Sequence, residues 1–299
     1  MSSINTLEEI KYSFETMSLQ GIACGSKETK DNVVLCLHGW LDNAASFLPL
    51  MPHFQSQLAN KRIIAIDWPG HGNSSHRSLD AHYHFIDWVY DLLQLFEVNQ
   101  WQEVDIVAHS MGGMVASAFA AAFPEKVKSL TLIDSIGFIS STSEQTTQQL
   151  RDGMLSRFKG SSLYHQQGGA KKKRYHESID SAIKARVNVS DLQFEHAQLI
   201  VERGLIKEVG GYRWRSDARL RNTSPYRLTL KQAQQFIRDI KCPVQLIYGS
   251  DGIDLVSSGI KSFGDLFQHF SSVELKGGHH VHMEKPSETV ALVESFLAK

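Results

Sequence analysis

Short apolar runs alternate with helical patterns along most of the chain. Val33–Leu37, Ile63–Asp67, Val104–Ala108 and Ser129–Asp134 are rich in Val, Ile and Leu without clean polar alternation, as parallel strands buried on both faces require. Helical spacing marks Ile86–Phe96 and Gly113–Ala122 between them. This order predicts one open, mostly parallel sheet joined by right-handed crossovers. After Pro243 the pattern resumes, with strands at Val244–Tyr248 and Ser272–Leu275 and a closing helix at Ser287–Leu297.

Between roughly Gly137 and Pro225 the character changes. No strand-like apolar run is found there, only amphipathic helical segments. One covers Glu144–Phe158 and a second Tyr175–Val187. A third starts at Ser190, with Gln193 three residues on at capping-box spacing. The reading is a core of residues 1–136 and 226–299 and a helical cap insertion of residues 137–225. The basic run Lys171–Arg174 follows a Gly pair inside this insertion. It reads as a solvated loop rather than a phosphate patch, since no aromatic platform is interleaved with it.

Composition narrows the function classes. A chain of 299 residues exceeds a typical single core, which agrees with an insertion. A formal charge of -1 gives no general attraction to nucleic acid or acidic membranes. Three widely spaced cysteines, Cys24, Cys36 and Cys242, without CxxC spacing, argue against a disulfide framework or a zinc site. No apolar stretch is long enough to cross a bilayer, and the first residues carry acids where a signal peptide needs apolar ones. A cytoplasmic location is the expectation.

The strongest chemical signal is Asp105–Gly113, DIVAHSMGG. A buried strand runs into Ser110 among small neighbours and then into a helix, the setting of a nucleophile on a strained turn. The following helix would aim unpaired N–H groups and a positive dipole end at the serine. Ala108 stands where the G-x-S-x-G pattern has its first glycine, a difference of one methyl. A serine that merely caps the helix is the plainer alternative. In His38–Asn43, HGWLDN, Gly39 would permit an unusual backbone turn that faces the N–H of Trp40 to the site. That N–H and the N–H of Met111 would form an oxyanion hole. His38 reads as a turn-stabilising hydrogen-bonder and Asp67–Ser74 as a structural turn. Near the C-terminus, His279 stands in a glycine loop after the last strand, placed to reach a nucleophile on another strand's carboxyl end. A zinc site from His279, His280 and His282 is the rival, but the positions are tightly bunched and lack a fourth ligand.

These motifs together resemble a known family. LCLHGWLDNAASF, AHSMGG and GGHHVHMEKP are similar to the serine hydrolase-like proteins, a branch of the α/β-hydrolase superfamily, in order and spacing from about residue 12 onward. The insertion resembles that family least, apart from Glu202–Arg203–Gly204. The resemblance implies an α/β-hydrolase fold with a helical lid and a triad on the carboxyl edge of the sheet. By position, His279 rather than His280 matches the superfamily base, and its spacing to Pro286 is similar to that of epoxide hydrolases. The acid stays open. The superfamily's G-x-x-D spacing from Gly249 lands on Gly252, so Asp251 or Asp254 would serve only with an adjusted loop. Haloalkane dehalogenases are similar in placing an acid where Asp134 stands. The order of preference is Asp134, Asp254, Asp251.

A hydroxyl nucleophile suits attack on a carbonyl, whereas attack on an alkyl carbon calls for a carboxylate. The expectation is therefore acyl transfer from small or medium carboxylic esters to water, without metal or organic cofactor. Phe138, Phe158, Tyr164, Tyr212 and Trp214 are candidates to line an apolar acyl pocket or to pack the lid. Two alternatives use the same residues: hydrolysis of carbon–carbon bonds in β-diketone-like substrates, and a non-catalytic ligand-binding protein that keeps the fold.

Overall fold

The computed structural model describes residues 7–26, 32–161 and 175–299. Eight strands form one sheet in the order β1-β2-β4-β3-β5-β6-β9-β10. Six of them, β3 (Val33–Leu37), β4 (Arg62–Ile66), β5 (Val104–His109), β6 (Val127–Ile133), β9 (Val244–Gly249) and β10 (Phe270–Leu275), match the apolar runs and pair in parallel. Their alternate side chains feed two different cores. Leu35, Leu37, Ile106 and Ala108 join the cluster under helices α2 (Phe85–Asn99) and α3 (Met111–Ala122). Val34, Cys36 and Val107 face Phe47, Phe54 of helix α1 (Met51–Gln57) and Val290 on the other side. Burial on both faces leaves no room for polar alternation, which is why the runs are continuous.

The remaining two strands escape an apolar-run reading. β1 (Glu8–Ser13) alternates half-buried and exposed positions at the sheet edge, and β2 (Ser18–Gly25) runs antiparallel to both β1 and β4. Charge covers this edge, where Arg62 pairs with Glu8. All three cysteines are buried free thiols. No helix among the described residues is long and apolar enough to cross a membrane.

Between β6 and β9 the chain leaves the sheet. It forms α4 (Thr146–Lys159), α5 (Ile179–Val187) and α6 (Phe194–Gly204), and then a hairpin of β7 (Leu205–Glu208) and β8 (Gly211–Trp214). The hairpin corrects the expectation of a strand-free segment. Its strands are only partly buried, so they lack the apolar run, but Gly210 and Gly211 turn it at φ +107° and +130°. Two helix starts also move. Ser178 caps α5, and Tyr175–His176 lies outside the helix, with His176 bridged to Tyr212. No capping box forms at Ser190. Gln193 is itself the N-cap of α6, and the Ser190 hydroxyl donates back to the Arg186 carbonyl at 2.8 Å. Lys171–Arg174 and Tyr164 lie outside the described residues.

A small apolar cluster of Ile183, Leu192, Ile200, Val201 and Leu205 holds this segment together and reaches the sheet side through Met283. After it, α7 (Leu230–Asp239) lays Ala233 and Ile237 back on the main core. Helix α8 (Asp254–Phe263), the short α9 (Val281–Glu284) and α10 (Pro286–Leu297) complete the fold.

Candidate active site

The carboxyl ends of β3, β5, β6, β9 and β10 are consecutive on the sheet. Each opens a loop on the same edge, so residues far apart in sequence converge there. At the end of β5, Ser110 takes φ +50°, and its side chain makes no capping bond to the helix that follows. The hydroxyl is therefore free for other use, unlike that of a capping serine. Ser135 fixes the turn by donating to the Ser110 carbonyl at 2.7 Å. At the end of β6, Asp134 is fully buried at φ +44°. A third left-handed residue, Leu41 at +63°, lies in the loop after β3. Non-glycine residues pay a steric penalty in this region, and here three of them cluster around one site.

Ser110 Oγ lies 3.0 Å from Nε2 of His279, whose Nδ1 donates to Oδ2 of Asp134 at 2.6 Å. Gly249 N–H donates to the other carboxylate oxygen at 3.1 Å. Of the three candidate acids, only Asp134 is brought to the imidazole. Asp254 is exposed in the first turn of α8, and Asp251 is exposed at a cavity wall. The failed G-x-x-D spacing has a spatial reason. A Cβ at Gly252 would sit 2.5 Å from Oδ1 of Asp134, so a side chain there would collide with the carboxylate that arrives from the neighbouring strand.

The loop after β3 differs from its expected role. Its unusual backbone is at Leu41 rather than Gly39. Gly39 instead permits close approach, since a Cβ there would lie 2.9 Å from His109 Nδ1 and 3.1 Å from Ser110 Cβ. The main-chain N–H groups of Trp40 and Met111 donate to no acceptor among the described residues. His38 holds the turn. Its Nδ1 donates to the Gly39 carbonyl at 2.7 Å, and its Nε2 accepts from Trp68 N–H at 3.0 Å. Burial pushes its pKa down to about 4, so it stays neutral.

The comparisons with known proteins point one way. A family model described as the alpha/beta hydrolase fold matches residues 32–173. A serine hydrolase-like protein of Danio rerio is 30% identical, covering 88% of this chain and 81% of that protein. Serine hydrolase-like protein 2 of Homo sapiens is 29% identical over 88% of this chain and 86% of its own. The chain belongs to the serine hydrolase-like family of α/β hydrolases. A crystal structure of a hypothetical protein from Pseudomonas aeruginosa PAO1 superposes with a TM-score of 0.86 at 33% identity, over 98% of this chain and 100% of that one.

In this serine hydrolase-like chain, sequence reasoning missed a second buried network beside the first. His280 donates from Nδ1 to Asp191 at 2.6 Å and from Nε2 to Asp42 at 3.2 Å. Asp191 also accepts from the His280 main-chain N–H at 3.1 Å, and Arg186 reaches Asp42 at 2.5 Å. Burial opposes charge on His280, but the Asp42 charge and the bonds to both carboxylates push its pKa up to about 9. Burial would likewise raise Asp42 and Asp191, yet His280 holds both well below the usual carboxylate range, aided at Asp42 by His109 and Arg186. His109 donates from Nε2 to the His279 carbonyl at 3.0 Å, which fixes the loop of the neighbouring imidazole. Asp42 and His109 stood inside the quoted motifs, whereas nothing local distinguishes Asp191.

A zinc site built from His279, His280 and His282 does not form. His279 uses both nitrogens on Ser110 and Asp134, and His282 is a buried neutral ring packed near Phe47. Asp42, His109 and His280 bring ligand atoms within 4.8 Å of one another. That set is already joined as ion pairs, so a cation there would face the imidazolium and Arg186.

The hydroxyl and imidazole open into a cavity of about 670 Å³. The sheet loops supply one wall. Ala185–Arg186, Val189–Asp191, Trp214 and Arg221 of the segment between β6 and β9 supply the other. Of the five aromatic candidates, Trp214 lines it. Phe138 instead edges a separate hollow of about 30 Å³ beside Ser110, Phe158 is exposed, and Tyr212 packs on the insertion's own cluster. The lining mixes Trp40, Leu41, Val189, Trp214 and Ile253 with the charged Arg186, Asp191, Arg221 and Asp251.

Proposed function

We propose that this chain hydrolyses carboxylic esters by acyl transfer through Ser110, His279 and Asp134. The observation that carries the reading is the continuous relay from the serine hydroxyl through one imidazole to a fully buried carboxylate, at 3.0 and 2.6 Å. Nε2 of His279 takes the hydroxyl proton as Oγ attacks the ester carbonyl. Asp134 keeps Nδ1 protonated, so Nε2 presents its lone pair, and stabilises the imidazolium that forms. Negative charge on the carbonyl oxygen is met by the N–H groups of Trp40 and Met111. Loss of one such donor raises the barrier by about 3 kcal/mol in comparable sites. His279 then returns its proton to the departing alkoxide. Water, activated by the same nitrogen, cleaves the acyl-enzyme and restores the serine.

The segment of residues 137–225 acts as the cap in this reading, since it supplies one cavity wall. The test is labelling by a fluorophosphonate together with turnover of 4-nitrophenyl butyrate. Wild type labels and turns over, and Ser110→Ala does neither. A folded wild type that shows no label and no hydrolysis overturns the proposal in favour of a binding protein.

A further inference from the structure

We infer that the substrate of this site carries an anionic group, held at the cap wall by Arg221 together with Arg186. The inference rests on the ester-hydrolase reading and names its substrate class. Arg221 lines the same cavity as Ser110 and His279, and its guanidinium has no hydrogen bond or ion pair among the described residues. Arg186 lines that cavity too. It pairs with Asp42 through one nitrogen, while its buried Nε has no acceptor among the described residues. Both guanidinium groups line this one cavity, and burial first, then the Arg186 charge, lowers the Arg221 pKa. Like charges on one cavity wall repel, and an anion placed against both relieves the repulsion and supplies acceptors in the planar geometry that guanidinium favours.

Arg221 is an exposed side chain on an anchored stretch of backbone. It ends a short 3-10 turn, Ala218–Arg221, that is tied to the sheet side at several points. Arg219 donates to the carbonyls of Arg77, Ser78 and Ala81, and Tyr83 donates to Asp217 at 2.9 Å. The Leu220 carbonyl accepts from the Trp40 indole at 3.1 Å, which joins the turn to the loop proposed to supply an oxyanion donor. A cation on such a support can position a substrate relative to the hydroxyl. Two of the three acids on the cavity wall are already paired. Asp42 and Asp191 are engaged by His280 and Arg186. Asp251 is the lining carboxylate without an ion pair among the described residues, and it makes a preference for cations the competing outcome.

The experiment compares three 4-nitrophenyl esters of one chain length: the half-ester of glutaric acid, the neutral pentanoate and the cationic 5-aminopentanoate. Wild type favours the glutarate half-ester over the pentanoate by at least about tenfold in kcat/KM, mostly through KM, as for an interaction present in ground and transition states alike. Arg221→Gln collapses that ratio toward unity, Arg221→Lys keeps part of it, and Arg221→Glu shifts the ratio toward the aminopentanoate. Calorimetry with free glutarate on Ser110→Ala and Ser110→Ala/Arg221→Gln supplies a readout that needs no turnover. Binding to the first alone supports the anion subsite even if the ester reading has failed. Preference for the neutral or cationic ester, or glutarate binding indifferent to Arg221, overturns the inference while pentanoate turnover still upholds the ester reading.

Discussion

The sheet edge and the segment above it are held in place by different forces. Beneath the site, β3, β5 and β6 are packed with apolar side chains on both faces, and those strands deliver Ser110 and Asp134 to fixed points. The insertion has its own small apolar cluster and sends Phe138 and Leu220 into the main core, but its links to the loops around the site are largely polar. Arg186 meets Asp42, Asp191 meets His280, Asn43 donates to the Ile200 carbonyl, and Arg203 meets Asp67. Apolar packing is non-directional and tolerates conservative repacking, whereas a buried ion pair fails badly when one partner goes. The difference teaches that substitutions below should act on chemistry, and substitutions above on how the cavity is closed.

The largest effect is expected at the strand end itself. Asp134→Asn keeps the size of the side chain but favours the wrong tautomer of His279, and should lower kcat for 4-nitrophenyl butyrate about 10⁴-fold with unchanged melting. Asp254→Asn should leave the rate within about twofold, since its carboxylate stands apart. A sharper version moves the acid. Gly252 occupies the place of the superfamily's acid, and its missing Cβ makes room for Asp134. Gly252→Asp alone should therefore inactivate by collision. Asp134→Ala combined with Gly252→Asp should recover part of the rate lost in Asp134→Ala. No recovery would show that the carboxylate cannot be exchanged between the two loops.

Next comes the charge network under the insertion. Asp42 is 3% exposed and stands between Arg186 and His280. Asp42→Ala strands Arg186 and leaves His280 with Asp191 alone, and by analogy with other broken buried pairs should cost about 3–5 kcal/mol in urea unfolding. A cost below about 1 kcal/mol would mean that the apolar cluster around Met283, rather than charge, holds the insertion.

The pH dependence follows from the same network. His280 titrates near 9, above its ordinary 6.5. A raised value means that its contribution is complete below the ordinary value and is lost as pH rises through about 9. Asp42 and Asp191 are depressed, so their contribution is present above the ordinary carboxylate range and is lost only in strong acid. Wild type should therefore exceed His280→Gln in stability by up to ~3 kcal/mol near neutrality, with the gap closing above pH ~9. Melting temperatures of both proteins across that range check it. A gap that stays constant into the alkaline range would show that His280 is neutral in the fold.

The contrast also explains what could be read from the chain. Continuous apolar runs belong to strands that are buried on both faces, so β3 through β6, β9 and β10 were legible, and Ser110 and His279 stood in local motifs. β1 and β2 were not, because edge strands carry polar and half-buried positions. The β7–β8 hairpin was signalled by Gly210–Gly211 between two short, partly buried stretches, a cue hidden from a search for apolar runs. Asp134 was one of three open candidates, and its partner signal was the missing side chain at Gly252. The network of Asp42, Arg186, Asp191 and His280 was invisible because its members belong to four loops and helices whose meeting depends on the whole fold.

The smallest expected effect tests a tether whose residues do not line the cavity. Arg203 of α6 donates from Nε to both Asp67 oxygens at 3.0 Å and reaches Glu9 through its other nitrogens. Asp67 is fully buried but also accepts from Ala44 N–H and Asn73 N–H, so it stays partly satisfied without the guanidinium. Arg203→Lys keeps the charge and loses the fork, which cannot be replaced by a single ammonium. The expected loss is about 1 kcal/mol in thermal unfolding. Cleavage within the insertion by a protease of low specificity should quicken modestly, because local opening governs such cleavage. Fluorophosphonate labelling of Ser110 should keep its wild-type rate, since the sheet that presents the hydroxyl is untouched. A labelling rate that falls with the tether would mean that the insertion sets the geometry of the serine, and that the two regions are less independent than their packing implies.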